Sequence, residues 1–366
     1  HPANRLAAMS WRCGIIGLPN AGKTTIFNAL TAGFAEVAPY PFCTISPNTG
    51  VVPVPDPRLA RLGQLLKPQR LTPASIEFVD VAGLIEGASR GEGLGNQFLG
   101  HIREVDLLVH VVRCFADERC PHPLAILNPV RDVEVVETEL LLADLEILGR
   151  QRLRVEKRAQ AGDKAAAPIL PTLVKVEAGL NLGTWARDLK VGPAELKHLE
   201  STPLLTMKPC LFVANLSEAE LEGGIHYAAL KELAAARHRP VVPILGDLEA
   251  ELQAFSPEER QEFLAGLGLT ETGMVRLVRE SSQLLDLVTF YTVVGTEVRA
   301  WHVPAGTSAP RAAGCVHSDM EKGFIRAEVM PFAALDELGS PARVKEAGLL
   351  KVEGRDYLVA DGDILL

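Results

Sequence analysis

Apolar positions in this chain fall mostly into short unbroken runs rather than into alternations. Arg12 to Ile16, Ser75 to Val79, Asp106 to Arg113, Cys210 to Ala214 and Pro240 to Leu245 each read as a strand. Near-continuous apolar composition is what a strand covered on both faces requires, so the runs predict a mostly parallel sheet flanked by helices. Thr25 to Leu30, just after the first run, opens an amphipathic helix.

A different period governs the middle of the chain. Val133, Val136 and Leu140, then Leu141, Leu145 and Leu148, recur at helical spacing, and no breaker interrupts Val133 to Gln160 before Gly162. With Pro168 to Leu182 as a partner, the segment predicts a helical hairpin turning near Gly162 and Asp163. A helical tail is expected from Glu251 to Leu267. From about Asp286 short strands take over, at Val288 to Val294, Glu297 to His302, Gly323 to Val329 and Asp356 to Val359. With helices at Ala333 to Glu337 and Pro341 to Glu346, they predict a compact α+β unit of about eighty residues.

Composition narrows the class. A chain of 366 residues is long for one domain, and 47% hydrophobic with 23% charged residues is ordinary for a globular protein. No apolar run approaches the roughly 20 residues of a membrane-spanning helix. His1 to Ala8 has no apolar core and precedes Met9, so it reads as an extension rather than a secretion signal. The six cysteines lack paired spacing, which points to free thiols and a cytoplasmic setting. Cys114, Cys120 and His122 fit no zinc spacing and lack a fourth ligand. A net charge of −9 argues against a globally basic nucleic-acid binder. A local basic cluster does gather at the hairpin's tip: Arg150, Arg152, Arg154, Lys157, Arg158 and Lys164. Such a cluster is either a solvated helix face or a phosphate-backbone contact.

The chemistry is concentrated in Gly17-Leu18-Pro19-Asn20-Ala21-Gly22-Lys23-Thr24, a complete G-x-x-x-x-G-K-[ST] loop between a strand and a helix. Its glycines let backbone N–H groups turn toward phosphate oxygens, and the helix N-terminus adds partial positive charge. Lys23 would reach the β- and γ-phosphates, and the Thr24 hydroxyl would hold Mg²⁺. In the loop Phe34 to Thr49, Thr44 is a candidate second Mg²⁺ ligand. Asp80-Val81-Ala82-Gly83 follows a strand, placing Asp80 near the metal shell and the Gly83 N–H near the γ-phosphate. Leu84 then stands where Ras-like enzymes keep the glutamine that orients water, so the catalytic group must come from elsewhere. Gly91-Glu92-Gly93-Leu94-Gly95 is no dinucleotide fingerprint, because no strand precedes it. His110, inside an apolar strand, reads as a core histidine, and His122 by itself as a solvated loop residue. Asn215-Leu216-Ser217-Glu218 ends the fourth of these strands in the place of N-K-x-D, with Glu218 and Leu216 departing from the guanine-selective pattern. Gly246-Asp247-Leu248-Glu249 is where a base-contacting loop is expected.

Together these stretches resemble the YchF family, the Obg-like ATPases. The supports are Gly17 to Thr25, Pro41-Phe42-Cys43-Thr44-Ile45, Asp80 to Leu84 with the glycine-rich continuation Gly87 to Phe98, Asn215 to Glu218, His317-Ser318-Asp319 and Glu321 to Ala327. The resemblance implies a P-loop α/β domain (residues 9–131 and 206–285) interrupted by a helical coiled-coil insertion (132–205) and followed by a ubiquitin-like α+β TGS domain (286–366). It implies hydrolysis of ATP in preference to GTP, Lys23 and His122 acting in catalysis, and His122 replacing the missing glutamine. Nucleotide contacts are implied for Asn20, Ala21, Gly22, Lys23, Thr24, Thr25, Gly83, Asn215, Leu216, Glu218 and Gly246. Mg²⁺ would sit on Thr24, Thr44 and Asp80, and K⁺ on Asn20; Cys43 matches a redox-sensitive switch thiol. The partners expected are ATP and the ribosome or its large subunit, with RNA touching the basic tip and no membrane. The rival expectations are an Obg-type GTPase, or an RNA- or ribosome-binding module in which nucleotide only controls affinity.

Overall fold

The computed structural model describes residues 11–33, 48–81, 94–117, 120–221, 223–266 and 268–366, the side chains of 94–98, 247, 250, 253 and 257 excepted. Its strands are β1 (Trp11–Ile16), β2 (Thr49–Pro53), β3 (Arg70–Thr72), β4 (Ser75–Asp80), β5 (Leu107–Arg113), β6 (Cys210–Asn215), β7 (Val241–Ile244), β8 (Leu287–Val294), β9 (Glu297–Pro304), β10 (Ala327–Pro331), β11 (Lys351–Glu353) and β12 (Asp363–Leu365). The first sheet runs β2-β4-β1-β5-β6-β7. Every pairing in it is parallel except the antiparallel edge β2·β4. β5 is buried at all seven positions, which is why its sequence is apolar apart from His110 and Arg113.

Helix α1 (Lys23–Ala32) packs Ile26, Phe27 and Leu30 on one face of this sheet. The same face is closed by a helix absent from the sequence-based expectation, Gly273–Leu284, whose Met274, Leu277 and Val278 are buried there. Thr272 caps it, accepting from Val275 N at 3.2 Å. The expected tail from Glu251 to Leu267 is broken. Helices Gly246–Glu251 and Pro257–Gly266 are separated by a 3₁₀ turn, and Ser256 and Glu259 cap the second reciprocally.

The hairpin is built on one helix of 32 residues, Pro129–Gln160, which begins four residues earlier than its apolar period suggests. Asn128 accepts from Arg131 N and Pro129 occupies the first turn, two start signals that periodicity does not register. Its first half packs Val136 and Leu140 against the sheet, and its second half packs Leu148 and Val155 against Leu173 and Val176 of Ile169–Asn181. The turn is closed by Gly162 at φ 89° and by Arg158 donating to Asp163 at 2.6 Å.

The second sheet runs β11-β10-β12-β8-β9-β3. It differs from expectation in four places, the first being two strands, β11 and β12, that the sequence analysis does not foresee. Residues 356–359 carry only a bridge from Ser308 to Leu358, because Asp363 ties Ala360 N and the Tyr357 hydroxyl into a turn. β10 starts at Ala327, since a short helix occupies Ser318–Gly323. Most consequentially, the edge strand is β3, which lies in the chain between β2 and β4 of the first sheet and pairs parallel with β9. The helix before it, Pro57–Leu66, buries Leu59 and Leu62 beside Tyr291, Val298 and Ile364. Residues 56–72 therefore contribute to the core of the C-terminal unit although they interrupt the nucleotide-binding one.

Candidate active site

Backbone geometry makes the phosphate loop. Gly17 leaves β1 at φ 146°, and a Cβ there would stand 2.4 Å from the Val111 carbonyl oxygen. Gly22, at φ 93°, would place a Cβ 2.1 Å from Asn215 Nδ2. Only glycine meets both demands, a left-handed backbone and a wall with no room for a side chain. Helix α1 follows with Gly22 at its N-cap, no side-chain cap and no acidic residue in its first turn, so its leading N–H groups remain available to an anion.

A cavity of about 400 Å³ opens over this turn. Lys23 and Thr24 line it, with Asn20, Gly22, Thr25, Asn215, Leu216 and Gly246. The Lys23 side chain is 7% exposed and its ammonium donates to the Leu18 carbonyl at 2.8 Å. Burial pulls its pKa down to about 8, and the nearby Asp80 charge opposes that shift. Thr24 Oγ1 donates to Asp80 Oδ2 at 2.8 Å, so a hydroxyl from α1 and a carboxylate from the end of β4 converge from 56 positions apart. An oxygen-only pair of this kind suits a hard divalent cation. Asn215 joins the base end of the cavity to the phosphate end, its amide donating to the Ala21 carbonyl at 3.0 Å. Thr44, Gly83, Leu84 and Cys43 lie outside the described residues.

Of the predicted nucleotide contacts and catalytic residues, Ala21 lines a neighbouring pocket, and Glu218 and His122 also stand apart from the cavity. Glu218 is exposed at the start of helix Glu218–Leu221 and does not line it, because the chain turns away after Ser217. His122 lines instead a separate small pocket with Leu18, Pro19, Asn20 and Asp132, which shares Asn20 and Arg113 with the nucleotide cavity. Asn20 bridges the two regions: its backbone is left-handed at φ 62° and its amide donates to the Pro121 carbonyl at 3.3 Å. His110 is 2% exposed and packs on Phe212 with ring centroids 5.5 Å apart, as expected of a core histidine.

Sequence reasoning missed the wall formed by Arg113, Phe115, Asp117 and Cys120. Arg113 donates to the carbonyls of Phe115 at 2.9 Å and Cys120 at 2.7 Å and lies over the Phe115 ring. One available signal was their place directly after β5, since ligands in parallel α/β sheets bind beyond the carboxyl ends of strands.

The chain is 46% identical over 357 residues to the ribosome-binding ATPase YchF of Escherichia coli O157:H7, with 98% of each covered. The chain belongs to the YchF family. It is also 43% identical over 360 residues to the ribosome-binding ATPase YchF of Bacillus subtilis. A family model described as a 50S ribosome-binding GTPase matches residues 12–142, and the YchF-GTPase C-terminal model, described as a protein of unknown function, matches 287–366. The solved YchF GTPase of Schizosaccharomyces pombe superposes with a TM-score of 0.89 at 31% identity, covering 98% of this chain and 97% of that one. A GTP-binding protein of Pyrococcus horikoshii shares the fold, with a TM-score of 0.61 at 20% identity.

Proposed function

We propose that this chain is a ribosome-associated ATPase that hydrolyses ATP to ADP and phosphate and works as a nucleotide-dependent regulatory switch in the cytoplasm. The observation that carries the preference for ATP is the position of Glu218. The carboxylate that would select guanine is exposed and outside the cavity, leaving the base to face Asn215, Leu216 and Gly246. Direct titration tests this: ATP should bind more tightly than GTP, and tighter GTP binding would make the chain an Obg-type GTPase.

The phosphates would lie on the N–H groups of Ala21 to Thr25, and Lys23 would exchange its bond to Leu18 for the β- and γ-phosphate oxygens. Thr24, Asp80 and Thr44 would hold Mg²⁺, which neutralises charge on the transferred phosphoryl group when bound. Gly83 would donate to the γ-phosphate. Asn20 would offer K⁺ its Oδ1, the amide nitrogen being engaged by Pro121. His122 would orient the attacking water in place of the glutamine lost at Leu84. Lys23→Ala should abolish nucleotide binding or turnover; unchanged ATPase activity would refute the assignment. His122→Ala should lower kcat while largely keeping nucleotide affinity.

The partner would be the ribosome, through its large subunit, with RNA meeting the hairpin tip. Arg150, Arg152 and Arg158 there are paired with Glu146, Glu156 or Glu177, and Asp163. Arg154, Lys157 and Lys164 are exposed and are the residues we assign to phosphate contact.

A further inference from the structure

Both ring nitrogens of His122 are engaged in the folded chain. Nε2 lies 2.7 Å from Asp132 Oδ2, and Nδ1 accepts from the Leu124 backbone N–H at 3.2 Å. An Nδ1 that accepts carries no proton, so the ring is neutral and Nε2–H is the donor to the carboxylate. The two side chains are 7% and 5% exposed. In this arrangement the imidazole has no nitrogen left to meet a water, and it lines a small pocket adjoining the nucleotide cavity rather than the cavity itself.

Asp132 is well placed to hold it there. It sits in the first turn of Pro129–Gln160, fixed by the Asn128 cap and by Val133 and Val136 in the core. Among the described residues its Oδ1 has no hydrogen-bond partner, and Arg131 forms an ion pair with it at 3.8 Å. Burial pushes its carboxyl up, while the bond from His122 and the charges of Arg131 and Arg113 act the other way. A buried carboxylate with one close donor has strong reason to keep it. The loop is tied at other points too, by Asn20 to Pro121 and by Arg113 to Cys120.

We infer that Asp132 is a positioning residue that holds His122 withdrawn from the nucleotide, so that breaking the His122–Asp132 bond is a required step before each hydrolysis. This rests on the reading of His122 as the residue that orients water. Turnover then scales with the fraction of molecules in which the histidine is released. Asp132 and the basic tip lie on one helix, about 48 Å long at 1.5 Å per residue, so a partner gripping the tip pulls on the element that carries the restraint.

The test is steady-state ATPase kinetics on the full-length chain carrying Asp132→Ala, His122→Ala or both, with thermal melts to establish folding. Asp132→Ala should raise basal kcat about fivefold or more with KM for ATP within twofold of wild type. The double variant should fall to the His122→Ala level. Asp132→Asn, whose side-chain oxygen can still accept from Nε2, should lie nearer wild type. A kcat at or below wild type in a folded Asp132→Ala would overturn the inference, and a His122-dependent fall would make Asp132 a residue that aims the imidazole for catalysis. If His122→Ala leaves kcat unchanged, the water-orienting reading fails instead. The restraint itself is then decided by ¹⁵N NMR of the ring. A fixed Nε2–H tautomer that becomes mixed in Asp132→Ala upholds it, and a tautomer mixture already present in the wild type refutes it.

Discussion

Arg58 and Asp361 are 303 positions apart in the chain, and their guanidinium and carboxylate meet at 2.6 Å. Arg58 also pairs with Asp56, the N-cap of its own helix, and Asp56 accepts from the Tyr291 hydroxyl; Asp361 accepts from Thr289 N at 2.8 Å. The contact fastens the excursion between β2 and β4 to the C-terminal sheet. Burial raises the Asp361 carboxyl, but the bonds from Arg58 and Thr289 outweigh it and hold the group below the usual range. Asp361→Ala should destabilise the fold by about 1 kcal/mol, a modest figure because the carboxylate is half exposed. That stability is present above the ordinary carboxylate pKa and is lost as pH falls through the depressed one, so urea midpoints of variant and wild type should converge in acid.

Leu62 is fully buried in the same excursion, against Val298 and Ile364 of the C-terminal core. Leu62→Ala should cost about 2–5 kcal/mol in urea unfolding. A loss below about 1 kcal/mol would mean that the helix contributes little to that core.

Lys23 gives nucleotide affinity a pH dependence. With its pKa near 8 in the free protein, the ammonium predominates below that value and is lost above it. Phosphates bind the ammonium, so Kd for ATP should be flat below pH 8 and rise by up to about tenfold per unit above it. A flat profile to pH 10 in fluorescence titration would exclude the effect.

His110 should weaken the fold in acid. Burial first, then the charges of Arg239, Lys23 and Arg237, lower its pKa to about 3 from the ordinary 6.5. Below pH 6.5 the unfolded chain binds a proton that the folded chain refuses, so stability falls as pH drops toward 3, by up to about 1.4 kcal/mol per unit. His110→Leu should remove that share of the slope, which urea midpoints at pH 7, 6 and 5 would measure.

At the hairpin tip, reversing Arg154 and Lys157 to glutamate should weaken ribosome or RNA binding and flatten its salt dependence by about two phosphate contacts. Arg152→Glu should matter less to binding, since Arg152 is already paired with Glu156 and Glu177. Equal binding in both variants would make the tip a solvated face.

What could be read from the sequence is whatever a local signal encodes. The strands β5 and β6 announce themselves because burial on both faces favours apolar runs, β1, β4 and β7 because apolar residues dominate or alternate along them, and Gly17 to Thr24 because a phosphate turn tolerates so few residues at fixed spacing. Helix Pro129–Gln160 was visible from its period. The hairpin's turn was visible from Gly162.

Tertiary structure decided the remainder, because pairing and side-chain direction depend on neighbours remote in the chain. β3 has three residues, two of them exposed, and only β9 makes it a strand. Nothing local in 56–72 says that it completes a core formed more than 200 residues later. Asn215 to Glu218 reads as one motif, yet the turn after Ser217 leaves Asn215 inside the cavity and Glu218 outside it. His122 is a loop histidine by sequence, and only the fold sets its Nε2 2.7 Å from the buried Asp132 carboxylate, ten positions on in the next helix.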